Sequence, residues 1–579
     1  MRERLKNIKN RYQNDCIFKF YCNLIFILTI NIVFFISYIK GIKIYFSIND
    51  DTAISGLIAG TQGSFPGYAV YINFIPAYIL SKLTSVIPTL NWYGIYLIGT
   101  FFISFALIGN VFLNKFNFKI GMFIYVICVI CGIIPFLSSF TFTFVCYISI
   151  LAGVILIVYG YEIDSRNISL FSYVCGIILF INGSFIRYNS LYTGIVLLVG
   201  YIIFKIFEDK KKSIVFIIIS ILTIILALGF RMYSRMQYYT DPIWNNYIEF
   251  NEVRANLIDF GLPDYYENRE FYESVGWSEN DYNIFKTYSF PEHEKFSTDN
   301  LHKIYDYKQS INKSNLGIKT IIEKIGGIIK TNIATILCMI FIILIFVYNI
   351  IFTKNKLMST LLTMFPFGMN ILFLIMNRAP FRVVYPHYFI TLIILIYLAE
   401  DSNKNTKQHS NYNQMENYFL YIGILLFVIF GGIQLFDDYN KSIEIRNNEY
   451  LNNSIQIYET LCNDKDNIYL TSLDHNGSIV KAKSIFREYP RNFKSNLISV
   501  GGWLSRSKNF NYIKENYGID NLMYDLIRKD NYYFVDMGYH VGMYVTYFKE
   551  TYDLDVVFDI VREMYHTKIY KVRLEEKLE

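Results

Sequence analysis

The sequence predicts a mainly α-helical, polytopic membrane bundle with extracytoplasmic loops and a small α/β C-terminal domain. Three observations carry that expectation. Of 579 residues, 53% are hydrophobic and only 18% charged, with a mean hydropathy of +0.29, whereas a soluble chain carries about a quarter charged residues. The apolar excess falls in blocks long enough to cross a bilayer, about 20 residues each. Four lysine-rich connections fall on the same side of the alternating blocks.

The elements follow in order. "MRERLKNIKNR" is a basic cluster ahead of the first apolar block, which places the N-terminus in the cytoplasm. That block, "FYCNLIFILTINIVFFISYI", is long and no small-residue cleavage site follows it, so it reads as a span and not as a cleaved signal. Spans are expected at 18–39, 92–113, 120–137, 141–160, 168–185, 189–206, 213–230, 331–352, 358–376, 384–399 and 417–436, eleven in all. The connections "LNKFNFK" (113–119), "KIFEDKKK" (205–212), "TKNK" (353–356) and "DSNKNTKQ" (401–408) then share the cytoplasmic side, as the positive-inside bias requires. Counting "YAVYINFIPAYILSKLTSVI" (68–87) as a span would reverse every later loop. With Pro76 and Lys82 inside it, it reads as a helix lying in the outer interface.

This arrangement divides the chain into an N-terminal membrane region (1–230) with a first outer loop at 40–91, a large extracytoplasmic loop (231–330), further spans (331–436) and an extracytoplasmic C-terminal domain (437–579). In that last domain "NIYLTS", "YYFVDMGY" and "DVVFDIV" read as strands, with helices at 508–517 and 521–529. Seven of the eight cysteines lie in or next to apolar blocks and Cys462 stands alone in the tail, so no disulfide framework is expected. Cys128 and Cys131 read as packing. Nothing in the charge pattern suggests nucleic acid, and the net charge of +6 is modest.

Chemistry concentrates in "SINDDTAISGLIAGTQGSFPGY" (47–68). Asn49, Asp50 and Asp51 precede a helical run, and such residues cap a first turn. The same two carboxylates, held at a membrane face, can deprotonate an acceptor hydroxyl. Glycines 56, 60, 63 and 67 would let the backbone approach a bulky substrate closely, Gly63 among them as a binding candidate. Arg187, Arg231, Arg235, Arg378 and Arg382 all fall at the outer ends of spans, where guanidinium groups can hold a phosphate bidentately or simply reach the headgroups. Trp244, Tyr247, Asn251 and Arg254 recur at steps of 3, 4 and 3, one face of a helix that packs on the body or offers an aromatic platform to a sugar ring. Glu249, Glu252 and Asp259 can hold an acceptor or a divalent cation, while His293 and His302 are too far apart for a zinc pair on one helical turn, so no metal site is expected. "VGGWLSRS" (500–507) reads as a turn without the Lys-Ser/Thr of a nucleotide-binding loop.

One N-terminal span, a long first loop with an acid pair, an interfacial helix, many further spans and an outer C-terminal domain resemble the GT-C glycosyltransferases. The stretches "NDD" (49–51), "FPGYAVYINFIPAYILSKL" (65–83), "NWYGIYL" (91–97), "WNNYIEFNEVRANLIDFG" (244–261), "GWSENDY" (276–282) and "NRAPFRV" (377–383) look like those of a group of bacterial multispanning proteins with GT-C-like architecture. The resemblance implies a plasma-membrane enzyme with Asp50 or Asp51 as general base. Its donor would be a polyprenyl-phosphate sugar, and its acceptor a cell-envelope glycan, lipid or protein. A polysaccharide polymerase or ligase, or a lipid-linked glycan flippase, is the alternative expectation.

Overall fold

The computed structural model of the chain describes residues 10–208, 213–311, 333–353, 356–375, 380–399, 409–472 and 483–575. In chain order its principal helices are α1 (Cys16–Gly41), α2 (Asn49–Ala59), α3 (Phe74–Val86), α4 (Trp92–Lys115), α5 (Phe118–Ser138), α6 (Phe142–Glu162), α7 (Arg166–Ile186), α8 (Asn189–Glu208), α9 (Ser213–Tyr239), α10 (Pro242–Ile258), α11 (Ile333–Phe352), α12 (Lys356–Ile375), α13 (Phe381–Leu398) and α14 (Leu420–Asn447). Among the described residues eleven helices are long and apolar enough to cross a bilayer, all of these except α2, α3 and α10. The chain is a multi-pass membrane protein.

Helix α6 runs through the centre of the bundle, buried from Phe142 to Gly160. Its seam with α7 is made of glycines. A Cβ on Gly153 would lie 2.7 Å from the Phe180 amide, and one on Gly183 would lie 2.8 Å from the Cys146 carbonyl. Small residues permit such backbone approach between apolar helices, where burial from water supplies no drive. At one end of the bundle Glu162 accepts from Lys115 (2.7 Å), Lys205 (3.2 Å) and the Tyr397 hydroxyl (2.7 Å). The C-terminal ends of α4, α6, α8 and α13 therefore meet there, as up-and-down threading demands. Residues 209–212, 354–355 and 401–408 of the lysine-rich connections lie outside the described residues.

Three boundaries differ from expectation: α9 runs on to Tyr239, past 230. The helix within the first loop begins at Phe74, not 68, because Asn73 turns its side chain onto the Ile75 amide and caps it there. Helix α14 continues to Asn447, past 436, since Asp438 is buried against neighbouring helices, taking hydrogen bonds from Tyr38 (2.9 Å) and Ser138 (2.6 Å).

Beyond the bundle, β1 (Ile468–Thr471), β2 (Leu497–Ser499), β3 (Tyr532–Asp536), β4 (Val556–Met564) and β5 (Thr567–Leu574) form one sheet in the order β2-β1-β3-β5-β4. The β2, β1 and β3 strands are parallel, and β5 and β4 return antiparallel. The sheet shares a hydrophobic core with the loop between α9 and α11: Phe250, Trp277, Phe285 and Phe290 pack with Leu470, Phe534 and Tyr544. The first loop is also tied to this domain. Thr61 and Gly60 carbonyls accept from Lys494 and Asn492 amides, and Asn509 donates to the Gly63 carbonyl.

Candidate active site

Between the ends of the spans and the C-terminal domain lies a cavity of about 970 Å³. Asp50, Arg187, Arg231, Arg235, Arg254 and Arg382 all line it. They come from separate elements. Asp50 is in the first turn of α2, Arg187 closes α7, Arg231 and Arg235 end α9, Arg254 is on α10 and Arg382 opens α13. Antiparallel threading brings these ends to one face, so residues more than 300 positions apart become neighbours.

The acid pair divides. The cap of α2 is Ile48, with no side-chain cap bond, so the aspartates do not cap their own helix as the sequence allows. Asp51 is fully buried outside the cavity lining. It accepts from the Tyr93 hydroxyl (2.7 Å) and from the Phe142 amide (3.0 Å), binding α2 to the starts of α4 and α6. Burial pushes its carboxyl up to about 7, against the lowering pull of Tyr93, Thr141 and the Phe142 amide. Asp50 is half-buried and faces the cavity. Burial raises its carboxyl above the usual range, and Arg382 and then Arg187 draw it back.

Arg187, Arg231, Arg235 and Arg254 donate to neutral partners. Arg187 donates to the Thr143 hydroxyl (2.5 Å) and lies 5.2 Å from the Phe142 ring centre. Arg231 donates to Tyr192 (2.8 Å) and Arg235 to Tyr239 (2.6 Å). Arg254 holds the Asn251 side-chain oxygen with two nitrogens, at 3.2 and 2.9 Å. Lysines of the C-terminal domain behave otherwise: Lys483, which lines the cavity, and Lys508 and Lys514 pair with Glu488, Asp241 and Glu292. Cations that rest on phenols, hydroxyls and rings keep their charge for an anion from elsewhere.

The remaining sequence candidates separate. Asn251, Arg254, Glu252 and Asp259 line the cavity. Trp244 does not: it stacks on Tyr68 at 5.0 Å and packs against Tyr238, so its ring fills a small core and offers no platform. Tyr247 is buried beside it, donating its hydroxyl to the Trp503 carbonyl (2.8 Å). Gly63 lies under the Tyr512 ring and Gly67 under the Phe74 ring, so these glycines admit the protein's own side chains; Gly56 does line the cavity. Glu249 faces His302 (3.5 Å) and His293 accepts from the Lys295 amide. Among the described residues no three His, Cys, Asp or Glu side chains gather as a metal site. Arg378 lies outside the described residues.

"VGGWLSRS" is the turn its sequence predicts, and its Gly501, Gly502 and Trp503 also line the cavity, which was not expected. The signal was present in the two consecutive glycines before a tryptophan, both held at positive φ.

The chain matches no family model, no curated protein and no solved structure.

Proposed function

We propose that the protein is a GT-C-type membrane glycosyltransferase acting at the outer face of the cell membrane. It takes a sugar from a polyprenyl-phosphate donor and places it on a hydroxyl of a cell-envelope glycan, lipid or protein. The observation that carries this reading is the meeting of one cavity-facing carboxylate, Asp50, with Arg187 and Arg382 at the ends of membrane helices. Asp50 takes the proton of the acceptor hydroxyl as its oxygen bonds to the anomeric carbon. The bond from that carbon to the phosphate oxygen breaks, and the lipid phosphate leaves with the electron pair. Arg187, Arg382, Arg231 and Arg235 offset its growing charge through N–H donors fixed before the reaction. A single displacement of this kind inverts the anomeric centre.

The cavity volume, at the upper end of what a drug-sized ligand needs, leaves room for donor headgroup and acceptor together. It suits a polymerase or ligase joining longer units equally well. A flippase would hold its polar site near the bilayer centre, whereas these arginines stand at helix ends.

The test is transfer from lipid-linked sugars, extracted from membranes that make the protein, to envelope fractions. Asp50→Asn should lose at least a hundredfold in rate, the usual size of a general-base contribution, while reaching the membrane in normal amount. Full turnover by Asp50→Asn would remove the base and with it the reading.

A further inference from the structure

The cavity wall supplied by the C-terminal domain carries an aromatic face. Trp503 is half-buried and lines the cavity beside Gly502. Its position is set by the backbone, not by burial of its ring. Gly501 and Gly502 sit at φ of +84° and +83°, where a side chain is costly. A Cβ on Gly501 would also lie 2.3 Å from the Tyr288 carbonyl oxygen. Tyr247 donates to the Trp503 carbonyl, and the Ser505 hydroxyl donates to that of Gly502 (2.7 Å).

From Trp503 a row of rings leads to the cationic end of the site. Its ring centre is 5.0 Å from Tyr71, Tyr71 stacks on Phe142 at 6.5 Å, and Phe142 lies 5.2 Å from the Arg187 guanidinium. Tyr71 also interacts with Asn251, Arg254 and Asp50. An aromatic face edged by an amide, a guanidinium and carboxylates matches a pyranose, whose C–H face is apolar and whose rim is hydroxyl. A polyprenyl chain would ask for a slot free of charge, which this wall is not.

We propose that Trp503 is the stacking platform for the sugar of the lipid-linked donor, with Asn251 and Arg254 at the rim of the ring. The proposal rests on the glycosyl-transfer reading and adds a residue that sets selectivity for a glycosylated lipid over the bare carrier.

The experiment compares two probes on the full-length protein in nanodiscs: undecaprenyl phosphate, and the lipid-linked glycan pool extracted from membranes that make the protein. Bound lipid is read by native mass spectrometry. Wild type should prefer glycosylated lipid about tenfold, the order of one stacked ring. Trp503→Tyr should keep that preference, and Trp503→Ala should bind both lipids alike. A purely structural role would weaken both probes together and leave the ratio unchanged. A wild-type preference that survives in Trp503→Ala would overturn the platform and leave the transferase standing. No preference in the wild type would overturn both.

Discussion

Two adjacent aspartates do different work because a helix turns successive side chains through about 100°. Asp50 meets the cavity; Asp51 meets Tyr93 and the Phe142 amide. If Asp50 is the base, activity falls as pH drops through its raised pKa, and the three arginines that lower it, Arg382, Arg187 and Arg254, hold that acid limb in place. Arg382→Ala should therefore move the acid limb of the pH–rate profile upward; an unmoved limb would separate Arg382 from Asp50. Asp51 predicts a different pH dependence. Between about pH 4, where an unfolded aspartate ionises, and about 7, where Asp51 does, the folded protein keeps a proton that the unfolded chain has lost. Stability from this group thus falls as pH rises across that window, by roughly 4 kcal/mol in all, and levels off above it. Asp51→Asn can still accept from Tyr93 and Phe142, and should remove this component. Relative to wild type its melting temperature should gain progressively from pH 4 to 7. A constant difference across that range would contradict the assignment.

At the scale of elements, the spans and the site were not equally legible. Apolar length and lysine placement located eleven spans, because a bilayer imposes one strong constraint on each of them. The sheet was less visible. Strand β1 reads as a short apolar run, but β2 is three residues long and has no room for an alternating pattern. Strand β5, "TKIYKVRL", does alternate apolar residues with Lys and Arg, a pattern present in the sequence and not taken up. Which face of α10 meets the cavity was not readable either. Spacing put Trp244, Tyr247, Asn251 and Arg254 on one stripe, and only its second half reaches the cavity while Trp244 is taken by Tyr68. The helix seam gives a prediction at this scale. Gly153→Leu would drive a side chain into the backbone of α7 at 2.7–2.8 Å, and should cost about 1–3 kcal/mol. Gly229→Leu meets nothing within 4 Å and should leave thermal stability unchanged. Equal melting of the two variants in detergent would refute the close-packed seam.

For the whole molecule, the membrane bundle and the extramembrane part meet at the cavity, each supplying one side. Helix ends bring guanidinium groups and Asp50; α10 and the loop after β2 bring Asn251, Arg254 and Trp503. The shared core of the α9–α11 loop and the sheet fixes those two contributions to one another. Hydrophobic pattern shows which segments are buried, but not which distant segments are buried together, so this convergence was a geometric expectation until the fold was in view. The most direct test of the account is binding of undecaprenyl phosphate to the full-length protein in nanodiscs, read by native mass spectrometry. Asp50→Asn should retain the bound lipid phosphate and the Arg187→Ala/Arg382→Ala double variant should lose it by at least tenfold. Equal retention by the double variant would show that these arginines do not hold a lipid phosphate, and the account would fail at its centre.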